Sequence, residues 1–475
     1  MRQGAKAYLA ASLVAQAGAL ARYVVLARMV GPTELGLAAT LILTAQFFDS
    51  ISDMGADRFI VQDASGDTRE TQKLVQLAVA VRGVLISGAL VLASGLVAAL
   101  LHTPALAPSL IALALAPLIA GFINLDMRRA QRTGDFRPEA LSTILSELAA
   151  TAAIAFAAWK LRDHTAVVYG LVIRAFVQVV VSHITAKRLY GWAFSKEIAR
   201  RFSIFAGPLV MNGMLLFFGS QGDRLIVGSA VGPAALGQYS AILLLIFYPV
   251  GAMARFLAGM HMPLVAGSRD GAENFARQRD RLAGRCLLIS AAAMIGFTLV
   301  GPFATPLLYG HRFAQPLPLF AGLAFLQAVR LLRVWPTTLA LGTGDSIGVL
   351  MGNLVRTIAL PVTLGAYFLW PSLYTIVDGF IVAEILALLV ALALLMRRGA
   401  VETRPELIRC GLFILLGAAT LVAAHAVGAR NWLLAAPSIV AVLALLGVQI
   451  RAEWATCEEA LALVRRQLRL KPRSA

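Results

Sequence analysis

Charge is scarce in this sequence. Only 14% of its 475 residues are Asp, Glu, Lys or Arg, about half the share of a soluble domain, and 59% are apolar. With a mean hydropathy of +0.77, ordinary soluble packing does not fit and disorder is excluded. Cysteine is scarce as well: Cys286, Cys410 and Cys457 are too few and too far apart for a disulfide framework or a zinc site. The six histidines are scattered, with no HExxH or related metal spacing. The GxxxxGK[ST] phosphate loop is missing, so the chain is not by itself an ATP-driven pump. There is no GxSxG or serine-triad pattern of a hydrolase. Neither a cofactor nor a metal is expected.

What is there is apolar length. Runs fall at about 7–28, 37–57, 74–101, 108–127, 138–159, 166–186, 203–228, 235–258, 282–305, 316–340, 346–369, 372–396, 407–427 and 431–450. A hydrocarbon core about 30 Å thick asks for roughly 20 apolar residues per helix, so each run is long enough to span. About fourteen helices leave roughly 13 residues per connection or tail, too little for a separate catalytic domain. Ala15-Gln16-Ala17 has the small residues of a leader cleavage site, but the apolar stretch continues to about Ala27. An uncleaved first helix is expected. The fold class is therefore an all-α integral membrane protein.

The net charge of +17 would point to nucleic acid in a soluble protein. Here it has a different distribution. With the N-terminus inside, the inner segments and their flanks carry 29 Lys and Arg and the outer turns carry 5. That bias predicts both termini in the cytoplasm and no nucleic-acid partner. The basic inner loops Lys187–Arg201 and Pro263–Arg281, with Arg465, Arg466, Arg469 and Lys471 of the tail, are expected to rest on anionic membrane lipid.

A short repeat divides the chain. Val30-Gly31-Pro32-Thr33-Glu34-Leu35-Gly36 recurs as Val231-Gly232-Pro233-Ala234-Ala235-Leu236-Gly237, five of seven positions agreeing at an offset of 201. Each copy follows the first helix of a six-helix set. Gly-Pro ends one helix, and the second glycine lets the next pack closely. An even number of intervening spans means two parallel six-helix repeats, a transporter signature. The expected domains are a lobe over 1–190, a lobe over 191–398, and two extra helices with a basic tail over 399–475.

Ionisable residues inside spans are costly and usually mark a cavity or an ion path. Arg22 lies in the first span with no carboxylate in that span. Asp49 and Asp53, one turn apart, share a face of the second. Glu147 is central in the fifth and Arg174 lies in the sixth. Asp223 and Arg224 end the seventh, Arg255 is near the inner end of the eighth, and Arg330 and Arg333 form a positive stripe on the tenth. Arg356 is central in the eleventh, with Asp378 and Glu384 in the twelfth. Bland readings exist: Arg255 and Asp53 are near enough to span ends to snorkel, and Arg356 with Glu384 fits a neutralised pair. The excess of guanidinium favours an anionic cargo such as a pyrophosphate, since arginine binds phosphate through paired donors. Candidate substrate residues are Arg22, Arg224, Arg255, Arg330, Arg333 and Arg356. Candidates for coupling to a proton or sodium gradient are Asp49, Asp53 and Asp223.

The stretch Leu26-Ala27-Arg28-Met29-Val30-Gly31-Pro32-Thr33-Glu34-Leu35-Gly36 resembles the polysaccharide (Wzx-type) flippases of the multidrug/oligosaccharidyl-lipid/polysaccharide exporter superfamily. So do Asp53-Met54-Gly55, Gly222-Asp223-Arg224-Leu225-Ile226-Val227-Gly228, Ala235-Leu236-Gly237-Gln238-Tyr239-Ser240-Ala241 and Leu308-Tyr309-Gly310-His311-Arg312-Phe313. The resemblance implies two six-helix lobes in a V, two extra helices, and alternating access for an undecaprenyl-pyrophosphate-linked oligosaccharide. That cargo would feed O-antigen, capsule or exopolysaccharide synthesis at the bacterial inner membrane, beside a polysaccharide polymerase complex. Related lipid II flippases place cavity arginines in the first and eighth spans, where Arg22 and Arg255 stand here. Rival readings are a cation-coupled drug antiporter of the same superfamily, a membrane glycosyltransferase or polymer ligase, and a scaffold for a synthesis complex.

Overall fold

The computed structural model describes residues 2–100, 103–268, 271–399, 403–454 and 458. Cys457 and the tail residues Arg465, Arg466, Arg469 and Lys471 lie outside them. Among the described residues the chain is helical, with no strand. It divides into two compact units, 1–244 with 305–313, and 245–304 with 314–475.

The first unit is built on α1 (Arg2–Met29), α2 (Pro32–Ile51), α3 (Ala56–Gln62), α4 (Arg69–Leu100), α5 (Leu106–Leu113), α6 (Leu115–Ala120), α7 (Asp126–Arg132), α8 (Arg137–Leu161), α9 (Ala166–Ile184) and α10 (Lys196–Ile226). The division falls within α11 (Pro233–Ala266) and near the end of α12 (Ala272–Tyr309). The second unit continues through α13 (Leu317–Leu332), α14 (Val334–Gly342), α15 (Ser346–Leu369), α16 (Leu373–Arg397), α17 (Thr403–Gly428) and α18 (Trp432–Ala452). Among the described residues twelve spans are long and apolar enough to cross a membrane; the pair α5–α6 is a shorter apolar stretch.

Three expected spans are shaped differently from plain helices. The second run does not continue to residue 57: α2 ends at Ile51, Gly55 takes a left-handed backbone (φ 62°), and α3 starts anew. Asp53 therefore lies in the turn, not one helical turn below Asp49 on the same face. Its Oδ1 accepts from Gly55 N at 3.0 Å, closing the turn that precedes α3. The fourth run breaks at Ala114 and the tenth at Arg333, each three residues before a proline, Pro117 and Pro336. A proline has no N–H for the carbonyl four residues back, and its ring presses on that carbonyl. Because these are matching runs of the two halves, the same interruption occurs twice.

The heptapeptide repeat has a direct structural use. Gly36 of α2 and Gly237 of α11 face each other at a helix crossing. A Cβ on Gly36 would overlap the Pro233 carbonyl, and one on Gly237 would overlap the Pro32 carbonyl. The two copies thus pack backbone to backbone with reciprocal partners. Pro at the first helical position and the small residue one turn later make that approach possible. At the other end of this unit, Arg132 Nη1 receives the last carbonyls of α3, donating to Ile60 O at 2.8 Å, Val61 O at 3.0 Å and Asp63 O at 2.6 Å. Asp126 accepts from Arg129 Nε at 2.6 Å and Lys187 N at 2.8 Å. Burial works against its charge, but these donors overcome it and hold the carboxyl below its ordinary value of 3.8.

Gly237→Ala is expected to lower stability by about 1–3 kcal/mol, the usual cost of overpacking. Gly95→Ala, where nothing stands within 4 Å, should not; thermal melts in detergent compare the two. A lowered carboxyl pKa contributes stability that is fully present above 3.8 and lost as pH falls through the folded value. Asp126→Asn should therefore flatten the acid side of a melting-temperature profile while lowering its neutral plateau.

Candidate functional site

In the first unit, α1, α8 and α9 pack side by side, which brings three intramembrane charges together. Arg22 Nη1 donates to Glu147 Oε2, and Arg174 Nε lies 2.8 Å from Glu147 Oε1. Glu147 is 2% exposed, so it is a buried carboxylate shared by two guanidiniums. Arg22 had no acid in its own span; the acid comes from 125 residues away. Arg174 also lines a cavity of about 150 Å³ with Asp49 and Gln178. Asp49 itself is exposed and accepts from Arg82 Nη2 at 3.1 Å.

The second unit holds a larger version of the same arrangement. Glu384 on α16 is 1% exposed. Arg330 Nε and Arg356 Nε each donate to its Oε1 at 2.8 Å, and Arg333 Nε lies 3.4 Å from its Oε2. Arg333 stands at the break between α13 and α14, so the Pro336 interruption gives this residue its position. Three guanidiniums around one carboxylate leave the cluster at a formal +2. Burial of such an excess is costly unless an anion shares the site.

The two clusters are related with the signs exchanged. The fifth and sixth runs contribute Glu147 and Arg174; the eleventh and twelfth contribute Arg356 and Glu384. Arg356 and Glu147 are each the eleventh residue of their helix. Either sign on either helix gives a neutral pair, and the additional arginines come from α1 in one unit and α13 in the other.

Other charges singled out in the sequence stand elsewhere. Asp223 is fully buried; its Oδ2 accepts from Tyr239 Oη at 2.8 Å, and its Oδ1 is buried with no hydrogen-bond partner among the described residues. Arg224 is buried beside it and donates to Gln221 Oε1. A π-helical turn, Val227–Val231, follows at once, a local widening of the helix that is frequent at functional positions. Arg255 is exposed on α11 and is not among the guanidiniums ion-paired to Glu147 or Glu384. In the sequence Glu147 and Arg174 were visible only as isolated charges, whereas the pairing of Glu384 with Arg356 was legible and its sharing with Arg330 and Arg333 was not. The signal that could have joined them is their recurrence on matching runs of the two halves.

The family model for polysaccharide biosynthesis proteins matches residues 25–318. The chain belongs to this family. A lipopolysaccharide biosynthesis protein, WzxC of Escherichia coli (strain K12), is 22% identical over 335 residues, covering 70% of this chain and 67% of its own. Among solved structures, the lipid II flippase MurJ in an inward closed conformation superposes with a TM-score of 0.66 at 12% identity, over 96% of this chain and 98% of its own. An inward-facing multidrug resistance MATE transporter superposes with a TM-score of 0.64 at 14% identity, over 80% and 93%. The fold of this family member is thus the one seen in that lipid II flippase and in that multidrug transporter. It is a multi-pass membrane protein, and the Wzx-type resemblance read from Gly222–Gly228 and its neighbouring motifs identified the same family.

Removing a buried carboxylate from among arginines should cost more than removing one arginine. Glu384→Gln leaves three guanidiniums facing one another and is expected to cost about 3–5 kcal/mol. Arg333→Gln leaves two arginines on Glu384 and should cost under half of that, by melting temperature of the purified protein.

Proposed function

We propose that this chain is a flippase that moves an undecaprenyl-pyrophosphate-linked oligosaccharide from the inner to the outer leaflet of the bacterial inner membrane. It works by alternating access and supplies O-antigen, capsule or exopolysaccharide synthesis. With α1 and the α5–α6 pair added to the twelve long apolar ones, the reading has fourteen spans, an even number that keeps both termini on one face, and the Lys and Arg bias supports that face being cytoplasmic. The halves 1–190 and 191–398 are the moving lobes, and 399–475 is appended.

The observation that carries the reading is the surplus of guanidinium over carboxylate around two buried carboxylates. Arg22 and Arg174 surround Glu147; Arg330, Arg333 and Arg356 surround Glu384. A carboxylate held by several arginines occupies the place that a phosphate oxygen can take, with the same planar paired donors. The pyrophosphate competes for these donors, and the carboxylates reclaim them when it leaves. Each carboxylate offsets part of the positive charge while the cargo is away, which a permanently empty arginine site inside a membrane would lack. Arg224 and Arg255 guide the headgroup at the span ends. A cargo of organic cations would need the opposite sign.

Asp223 is the group through which a proton or sodium gradient acts. It is buried and, among the described residues, one of its oxygens has no donor, so a cation there would relieve an incompletely satisfied charge. Asp49, paired to Arg82 beside the first-unit cavity, is the second such group; Asp53, tied to its own turn, is the third.

The test is leaflet accessibility of a labelled lipid-linked oligosaccharide in reconstituted vesicles. Arg22→Ala leaves Glu147 paired with Arg174, so the protein should fold and insert at normal level. Loss of one charge-assisted contact, about 1.5–3 kcal/mol, should slow transfer by about tenfold or more. Unchanged transfer in Arg22→Ala and in Arg330→Ala would remove the arginine clusters from the transport path.

A further inference from the structure

Basic residues are rare in the turns opposite the cytoplasmic loops. There are five, Arg28, Lys160, Arg162, Arg312 and Arg430, and three of them, from three different turns, line one cavity. It has a volume of about 610 Å³ and lies in the first unit at the C-terminal ends of α1, α8 and α12. Arg28, Arg162 and Arg312 share it with His311, Trp159 and Tyr309, and among the described residues none of its lining is acidic.

Helix ends attract cations for ordinary reasons, since their last carbonyls carry partial negative charge. That accounts for Arg28, whose Nε donates to Leu308 O at 2.6 Å and whose Nη2 donates to Leu307 O, tying α12 to α1. It does not account for the other two. Arg162 and Arg312 are exposed and, among the described residues, take part in no ion pair within 4 Å. The nearby carboxylates are engaged elsewhere. Asp163 Oδ1 accepts from Thr165 N at 2.9 Å, and Glu34 Oε2 accepts from His164 N at 2.9 Å. Arg162 also has a left-handed backbone, φ 57°, at a helix end where glycine is the usual residue; a long cationic side chain is kept at a strained position. Trp159 is 63% exposed at the same mouth, a flat apolar face next to two free guanidiniums. Paired donors for phosphate oxygens and an aromatic face for a ring or chain form one composite surface.

We propose that this cavity is an outer-face binding site for the phosphate headgroup of a lipid, held by Arg162 and Arg312 with its first non-phosphate group against Trp159. Resting on the flippase reading for which face is outer and which glycolipid arrives there, the occupant is the pyrophosphate of the translocated lipid or the phosphate of a resident anionic phospholipid. Both offer the same oxygens to the same donors. The depth suits either, since span ends lie at headgroup level.

The full-length protein in detergent is titrated with undecaprenyl pyrophosphate and, separately, with short-chain phosphatidylglycerol, while tryptophan emission is followed. At least one of them should change the emission, and Trp159→Phe should abolish the change. The double variant Arg162→Gln/Arg312→Gln, altered only at exposed side chains, should bind that headgroup at least tenfold more weakly, with an unchanged melting temperature. A response to undecaprenyl pyrophosphate alone supports the site and assigns it to the cargo; a response to phosphatidylglycerol supports the site and assigns it to the bilayer. No response to either lipid, a response that survives Trp159→Phe, or equal affinity in the double variant would overturn the proposal. Such a failure leaves translocation standing, because leaflet transfer reads the Glu147 and Glu384 clusters. A protein that binds headgroup here but transfers nothing overturns translocation alone.

Discussion

A guanidinium within a hydrocarbon slab has to meet a carboxylate, a carbonyl or water. Much of the internal organisation of this membrane protein follows from that requirement. Arg22, Arg174, Arg330, Arg333 and Arg356 meet it by converging on two carboxylates, Glu147 and Glu384. Each carboxylate is reached by helices far apart in sequence, so the ion pairs also specify which helices become neighbours. A hydrophobic run packs against many others about equally well; a buried carboxylate accepts only a partner that brings positive charge.

The duplication of the chain is expressed more in chemistry than in sequence identity. The glycine crossing at Gly36 and Gly237 is reciprocal in detail, each glycine lying on the carbonyl of the other copy's proline. The interrupted helices at Ala114 and Arg333 repeat the same device, a proline three residues after the break. The charge pairs of the fifth and sixth and of the eleventh and twelfth runs repeat with their signs exchanged. Backbone geometry tolerates little change at a close crossing, whereas an ion pair is equally neutral in either direction. That explains why the glycines match across the halves and the charged residues do not.

Surplus charge separates these clusters from an ordinary buried pair. A lone buried pair is commonly no better than a hydrophobic replacement, and a cluster with excess arginine is worse unless it has an anion to receive. The same logic separates Arg28, which closes a helix end, from Arg162 and Arg312, which among the described residues stand at a cavity mouth without an acid. In both places the informative quantity is the positive charge that remains after every carboxylate in reach has been assigned.

The sequence by itself determined the class of molecule, the positions of nearly all its spans, the repeat, and the residues that carry charge inside them. These follow from local composition: an apolar run long enough to span does so wherever it occurs, and a Gly-Pro turn ends a helix whatever surrounds it. Tertiary structure alone decided where α2 stops, so that Asp53 caps a turn and does not share a face with Asp49. It also decided which acid answers which arginine. Arg22 finds Glu147 across 125 residues, and Arg330 finds Glu384 across 54. Such partners have no local signature, because an ion pair depends on distance in space and the chain returns to the same point only after several helices have packed.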